Sequence, residues 1–273
     1  MAVFNFFVVV FPLLSLFFNT HLHADTVRFT SINYCPFSCI PSEEDGKEGI
    51  MVEVVRAALE EQGHDIDIAI MPYARAVKAA NSELYDGTIV VGKIYAPELI
   101  YPEQPTLTQR MLFMVKPSHN WRFSDYDSLL AVKLTMQIVK GFDYADDNIN
   151  RYVSTKPSNL VPLHGLNAIQ RGLELLHLGR VDSYAEGELT AQYNIDKYGY
   201  KQKFIVAGYS QRTFESFTAF NPNSANAYQY AQLISKKINA LKKNGELAII
   251  LKKYGIAAKQ GTGKLIGIKR NSL

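Results

Sequence analysis

The chain has 273 residues, with 29 Lys and Arg against 26 Asp and Glu for a formal charge of +3, and it carries 16 Tyr and 15 Phe. That length is enough for two lobes with cores of their own, and a mildly basic balance without dense basic runs argues against nucleic acid as a partner. Lys236, Lys237, Lys242 and Lys243 come nearest to a cluster, and they lie on the polar side of a helical pattern as a solvated face.

Residues 1–24 hold no Asp, Glu, Lys or Arg, and Val3 to Phe18 is an almost unbroken apolar run. The run is short for a bilayer span, and Leu22 and Ala24 sit where a signal peptidase tolerates small or aliphatic residues. A cleaved export signal is expected, with an uncleaved anchor as the alternative. In an oxidising compartment Cys35 and Cys39 read as one small disulfide loop, the alternative being two unlinked thiols. A zinc site would need two more ligands close by. His64 is the only nearby histidine on the mature chain, so no metal is expected.

Apolar and polar residues alternate over 26–33 as in a half-buried strand. After a loop over 34–49, Ile50, Met51, Val54, Val55, Ala58 and Leu59 recur at helical spacing, and Gly63 stops the helix. A strand is expected over 65–71, a helix over 73–81 and short β-rich runs over 88–92 and 108–115. The polar stretch from Pro117 to Trp121 marks a crossing between lobes. Beyond it come a strand over 133–139 ending in Gly141, a helix over 143–153 and a strand over 160–163. A helix carrying Leu166, Ile169, Leu173 and Leu176 then stops at Gly179. A strand over 181–185 leads into a helix over 187–198. Residues 204–207 read as the crossing back, 214–220 as a strand rejoining the first lobe, and 228–254 as two helices parted by Gly245. The tail over 261–273 is expected to be loose. This alternation argues for α/β sheets. Gly261 to Lys264 fails as a phosphate loop because Ala258 and Leu265 stand where glycine and Ser or Thr are needed, and no other local motif announces a nucleophile or a metal.

Several landmarks fall in a telling order: Pro36-Phe37 after the first strand, Gly46 and Gly49 before the first helix, Gly63 after it, then Pro72-Tyr73-Ala74-Arg75-Ala76 and Asp86-Gly87. In the second half, Lys133-Leu134 to Gly141, Gly179-Arg180-Val181-Asp182 and Glu186 continue the series. With these the chain resembles a divergent member of the family 3 extracellular solute-binding proteins, the receptors of polar amino-acid ABC transporters. The resemblance covers nearly the whole mature chain through short motifs. It implies a type II periplasmic binding protein fold, two α/β lobes joined by a two-crossing hinge with an interlobe cleft. Residues 25–115 plus 208–273 would form lobe 1 and 116–207 lobe 2.

The loops after the strands would then wall the cleft. Tyr34 and Phe37 offer rings against a side chain or a cation, Phe37 having loop packing over the disulfide as its other role. Arg75, at the start of the second helix, is a fork for a carboxylate or the partner of a local acid. Gly141, Phe142 and Asp143 open a helix whose N–H groups suit an anion, with Asp143 read first as its cap. Glu186 stands where the resemblance places the acid that binds an α-ammonium group, its alternative being a helix N-terminal charge. The family's carboxylate-gripping arginine is missing. Where it belongs this chain reads Tyr95-Ala96-Pro97-Glu98-Leu99, so Lys93, Arg75 or Arg110 substitutes, or the ligand is not a standard α-amino acid.

The resemblance thus implies a monomeric periplasmic receptor for a small polar or zwitterionic solute, without a cofactor, serving an inner-membrane ABC permease. A membrane-bound sensor is the alternative partner. A third reading is a periplasmic dehydratase like the cyclohexadienyl dehydratases of similar fold, with Glu186 moving the proton. No second positioned acid or base supports it, and a non-enzymatic role is expected.

Overall fold

The computed structural model describes residues 25–256 apart from 132, 140, 141 and 143. The expected export signal and the loose tail lie outside the described residues.

Strand β1 (Thr26–Ser31) alternates exposed and buried residues before running fully buried. Behind it, α1 (Ile50–Leu59) buries Ile50, Met51, Val54, Val55, Ala58 and Leu59, the stripe read from the sequence, and Gly63 ends the following 3-10 turn in a left-handed conformation. Then come β2 (Asp65–Ile70), α2 (Tyr73–Ala79), β3 (Gly87–Val91) and the nine-residue β4 (Leu107–Val115). The second half adds α3 (Tyr126–Leu130), β5 (Met136–Val139), α4 (Asp147–Ser154), β6 (Leu160–Leu163), α5 (Ala168–Leu178), β7 (Ser183–Gly187) and α6 (Glu188–Lys197). A 16-residue β8 (Ile205–Phe220) precedes α7 (Ala227–Asn244) and α8 (Glu246–Lys253).

The eight strands form one curled sheet in the order β2-β1-β3-β8-β4-β7-β5-β6. Parallel pairs β1–β2 and β1–β3 build one lobe, and β5–β6 and β5–β7 the other. Antiparallel β4 and β8 join them. Residues 217–220 of β8 pair with β3, while 205–216 pair along β4 with two register shifts that bend the ladder between the lobes.

Three expectations change. The run over 204–207, from Ile205 on, and the run over 214–220 are parts of β8, because the polar stretch from Gly208 to Thr213 is held by pairing to β4 rather than by its own pattern. The helix expected from residue 143 begins at Asp147. Ala145 takes a left-handed φ of 50°, which ends any helix on its N-terminal side, and the fully buried Asp146 caps α4 by accepting from the Asn148 N–H at 2.9 Å. The strand expected over 181–185 is β7, shifted two residues on, so Glu186 lies within it opposite Leu112.

The polar crossing also holds an anchor. Trp121 is buried, donates its indole N–H to the Ser128 carbonyl at 2.8 Å and packs edge-on to Phe113. A second, continuous core runs from Phe29, Met51 and Ile234 through Tyr34 and Phe37 into Leu173, Tyr184 and Leu189, so apolar packing crosses from lobe to lobe. Cys35 and Cys39 form a disulfide with Cα atoms 4.9 Å apart.

Where α5 lies on the sheet the approach demands glycine. A Cβ on Gly172 would fall 2.4 Å from Gln137 Oε1 and 2.8 Å from the fully buried Tyr184 ring. Replacing glycine by alanine in a helix gains about 1 kcal/mol of propensity, whereas overpacking a tight core costs roughly 1–3. Gly172→Ala is therefore expected to lower stability in urea unfolding despite the better helix former; an increase would show that the sheet gives way freely.

Candidate functional site

Between the lobes the loop after β1 meets the end of β7. Reciprocal backbone bonds between Tyr34 and Ser38, 2.8 Å from the Tyr34 N–H and 3.3 Å from the Ser38 N–H, turn the chain so that the Tyr34 ring points across the interface. Its hydroxyl donates to Glu186 Oε1 at 2.8 Å, a contact between residues 152 apart in sequence. Glu186 is fully buried. Tyr184, two residues earlier on the same face of β7, donates to Oε2 at 2.5 Å, and the Gly187 N–H donates to Oε1 at 2.8 Å. Gln109, near the start of β4, fixes the arrangement: its Nε2 donates to the Tyr34 hydroxyl at 3.0 Å and its Oε1 accepts from the Leu189 N–H at 3.1 Å. Gly187 makes room for that amide, since a Cβ there would lie 2.3 Å from Gln109 Nε2.

Burial pushes the Glu186 carboxyl pKa up, and the three donors pull against it. Burial first, and the Glu186 charge second, hold the Tyr34 and Tyr184 phenols far above their ordinary range, so both remain donors.

On the other side of Tyr34 opens a cavity of about 360 Å³, walled by Tyr34, Met71, Tyr73, Phe142, Leu166 and Ile169, with Asn33 and exposed His164 among its polar groups. A narrow neck of about 10 Å³ leads on from it between Tyr34, Tyr73, Tyr95, Phe142 and Phe214. The rings meet at steep angles: Tyr34 to Phe142 at 78° and 5.6 Å, Tyr73 to Phe142 at 68° and 5.4 Å, Tyr73 to Tyr95 at 86° and 5.4 Å. Beyond Phe214 a second groove of about 400 Å³ holds Lys93, Arg212 and Asp147.

The structure brings Tyr34, Phe142 and Glu186 together. Phe37 is fully buried behind Tyr34 at a centroid distance of 5.3 Å, in the loop packing that was its other role. Arg75 is exposed on the first turn of α2, outside the residues lining the cavity. Lys93 lines the second groove with its ammonium 4.7 Å from the Phe217 ring centre. Gly141 and Asp143 lie outside the described residues, and the helix N-terminus expected there is at Asp147 instead. Arg110 is engaged elsewhere, 3.8 Å over the Tyr209 ring and 3.3 Å from Glu188. Sequence reasoning missed Tyr184, which period-two alternation with Glu186 would have flagged, and Tyr73, which sits in the quoted Pro72 motif. Gln109, Tyr95 and Phe214 carry no local signal. Among the described residues no cluster of metal-binding side chains occurs.

No protein-family model and no curated protein matches the sequence. Solved structures do match the fold. A mutant of ArgBP from T. maritima aligns with a TM-score of 0.67 at 15% identity, covering 84% of this chain and 95% of that one. A structure from work on glutathione import through GshT and the cystine ABC importer of Streptococcus mutans aligns at 0.68 and 18%, covering 84% and 94%. A histidine kinase sensor domain similar to periplasmic binding proteins aligns at 0.67 and 16%, covering 89% and 98%. The chain has the two-lobed periplasmic binding protein fold.

The raised Glu186 pKa fixes the sign of a pH effect. A carboxyl whose pKa is higher folded than unfolded costs stability as it ionises. The cost is absent below the ordinary value of 4.5, grows above it and is complete once pH passes the folded value. Glu186→Gln cannot ionise, so its stability relative to wild type should grow with pH from 4.5 upward in urea unfolding; parallel pH profiles would refute the assignment.

Proposed function

We propose that this chain is a periplasmic receptor that captures a small polar, amino-acid-like solute in the interlobe cleft and passes it to an inner-membrane ABC permease. The observation that carries the reading is the cross-lobe Tyr34–Glu186 hydrogen bond beside a 360 Å³ cavity, a volume within the usual range for small-ligand sites. The neighbours support it: ArgBP is named for binding arginine, and GshT is described in glutathione import. On this reading residues 1–24 are a cleaved signal, the lobes divide as 25–115 plus 208–273 and 116–207, and the protein acts as a monomer. Tyr34 and Phe142 meet the ligand, with Glu186 one ring behind Tyr34. No helix among the described residues is long and apolar enough to cross a membrane.

A sensory role is the second reading, favoured by the likeness to a kinase sensor domain. In it the ligand-closed lobes report to a membrane-bound partner. Both readings require ligand binding first.

The test is a thermal-shift screen of residues 25–273 against amino acids, oligoamines, alkylated ammonium compounds, small carboxylates and peptides. A ligand at a hundred times its Kd should raise Tm by about 5–10 °C for a chain of this size. One responding chemical class is the expected result, and a flat response throughout the screen would sink the receptor reading.

A further inference from the structure

The ligand-class question turns on which charges the cleft leaves unanswered. Among the described residues lining the 360 Å³ cavity and its neck there is no Asp, Glu, Lys or Arg. Arg75 points to solvent, Arg110 is committed to Tyr209 and Glu188, and Lys93 lies over Phe217 and Tyr101 in the groove beyond the neck. A zwitterion's carboxylate therefore meets no fixed cation among the described residues of the cavity. The opposite charge is better provided for. Glu186 is buried one phenol ring behind the wall, bonded to three neutral donors, with no cation paired to it among the described residues. A carboxylate so placed acts across a weakly screening interior.

The wall in front of it is aromatic. Tyr34 and Tyr73 stand at 78° and 68° to the Phe142 ring like the sides of a box, and Tyr95 and Phe214 continue it into the neck. Ring faces attract cations, and a box of them suits an ammonium whose hydrogens are replaced by alkyl groups, which offers apolar contact on every side. Glu186 already accepts three hydrogen bonds, so it supplies charge more readily than a new acceptor. Resting on the receptor reading, we propose that the cleft binds an alkylated ammonium cation, held by the faces of Tyr34, Tyr73 and Phe142 with Glu186 as its counter-charge.

Three probes of matched shape decide it by isothermal titration of residues 25–273: choline, its uncharged carbon isostere 3,3-dimethylbutan-1-ol, and the zwitterion glycine betaine. Choline should bind at least about tenfold more tightly than the isostere, as expected of a desolvated cation–π site, and more tightly than glycine betaine. Equal binding of choline and the isostere overturns the proposal, as does preference for glycine betaine. Tyr73→Leu, at a half-buried position that keeps an apolar side chain, should weaken choline severalfold and leave the isostere unchanged. Equal losses for both would reduce the ring to packing. Silence with all three probes, while an amino acid raises Tm in the screen, overturns the cation assignment and leaves the receptor standing. Silence in both experiments fails both.

Discussion

A carboxylate shut away from water between two lobes is the constraint around which the rest of this structure is arranged. Leaving Glu186 ionised without partners would cost far more than one lost hydrogen bond, so the fold surrounds it with donors. Those three donors come from two parts of the chain: Tyr184 and the Gly187 N–H from its own strand, and Tyr34 from the other lobe. Gln109 then orients Tyr34, and the absence of a side chain at Gly187 lets it do so. Removing any one of these groups disturbs the others, as expected of a buried polar network.

Other cross-lobe contacts repeat the arrangement nearer the surface. Glu44, in the loop after the disulfide, accepts from Tyr193 at 2.7 Å and pairs with Lys197 at 2.5 Å, both on α6. Asn194 donates to the Cys35 carbonyl at 3.2 Å, and Asn33 to that of Leu166 at 3.2 Å. The 34–49 loop is thus the main bridge to the second lobe outside the β4–β8 pair. Its shape is fixed from within by the Cys35–Cys39 bond and from below by Gly49, whose φ of 106° disfavours a side chain and where a Cβ would fall 2.5 Å from the Ser38 Cα. A rigid loop holds Tyr34 in place at little further entropic cost.

The sequence declared what periodicity can declare. Alternation over 26–31 and the helical stripe from Ile50 to Leu59 appear where expected, because each element buries one face against its neighbours. It was silent where pairing overrides pattern. The middle of β8 has no strand signal of its own and is held by β4, while the start of α4 is set by Ala145 and Asp146 rather than by the glycine upstream. In the site, Glu186 was legible through a resemblance, and Tyr34 through its place after a strand. Gln109 was not, since its role depends on contacts with residues 75 and 80 positions away that no local window contains.

The energetic position of Glu186 also bears on how the lobes would part. If they separate, Tyr34 leaves the carboxylate and water takes its place, so the lost hydrogen bond is largely replaced while the ion gains solvation. The polar network therefore opposes opening only weakly, and the main resistance comes from apolar surface: the core that runs through Tyr34 and Phe37 into Leu173 and Leu189. A ligand can shift such an equilibrium only by its differential affinity for the closed state. The groups it can use for that are those closure alone assembles, the rings of Tyr34 and Tyr73 from one lobe and of Phe142 from the other. On the proposed reading, selectivity and closure would reside in the same three side chains, because the surface proposed to recognise the solute forms only when the lobes meet.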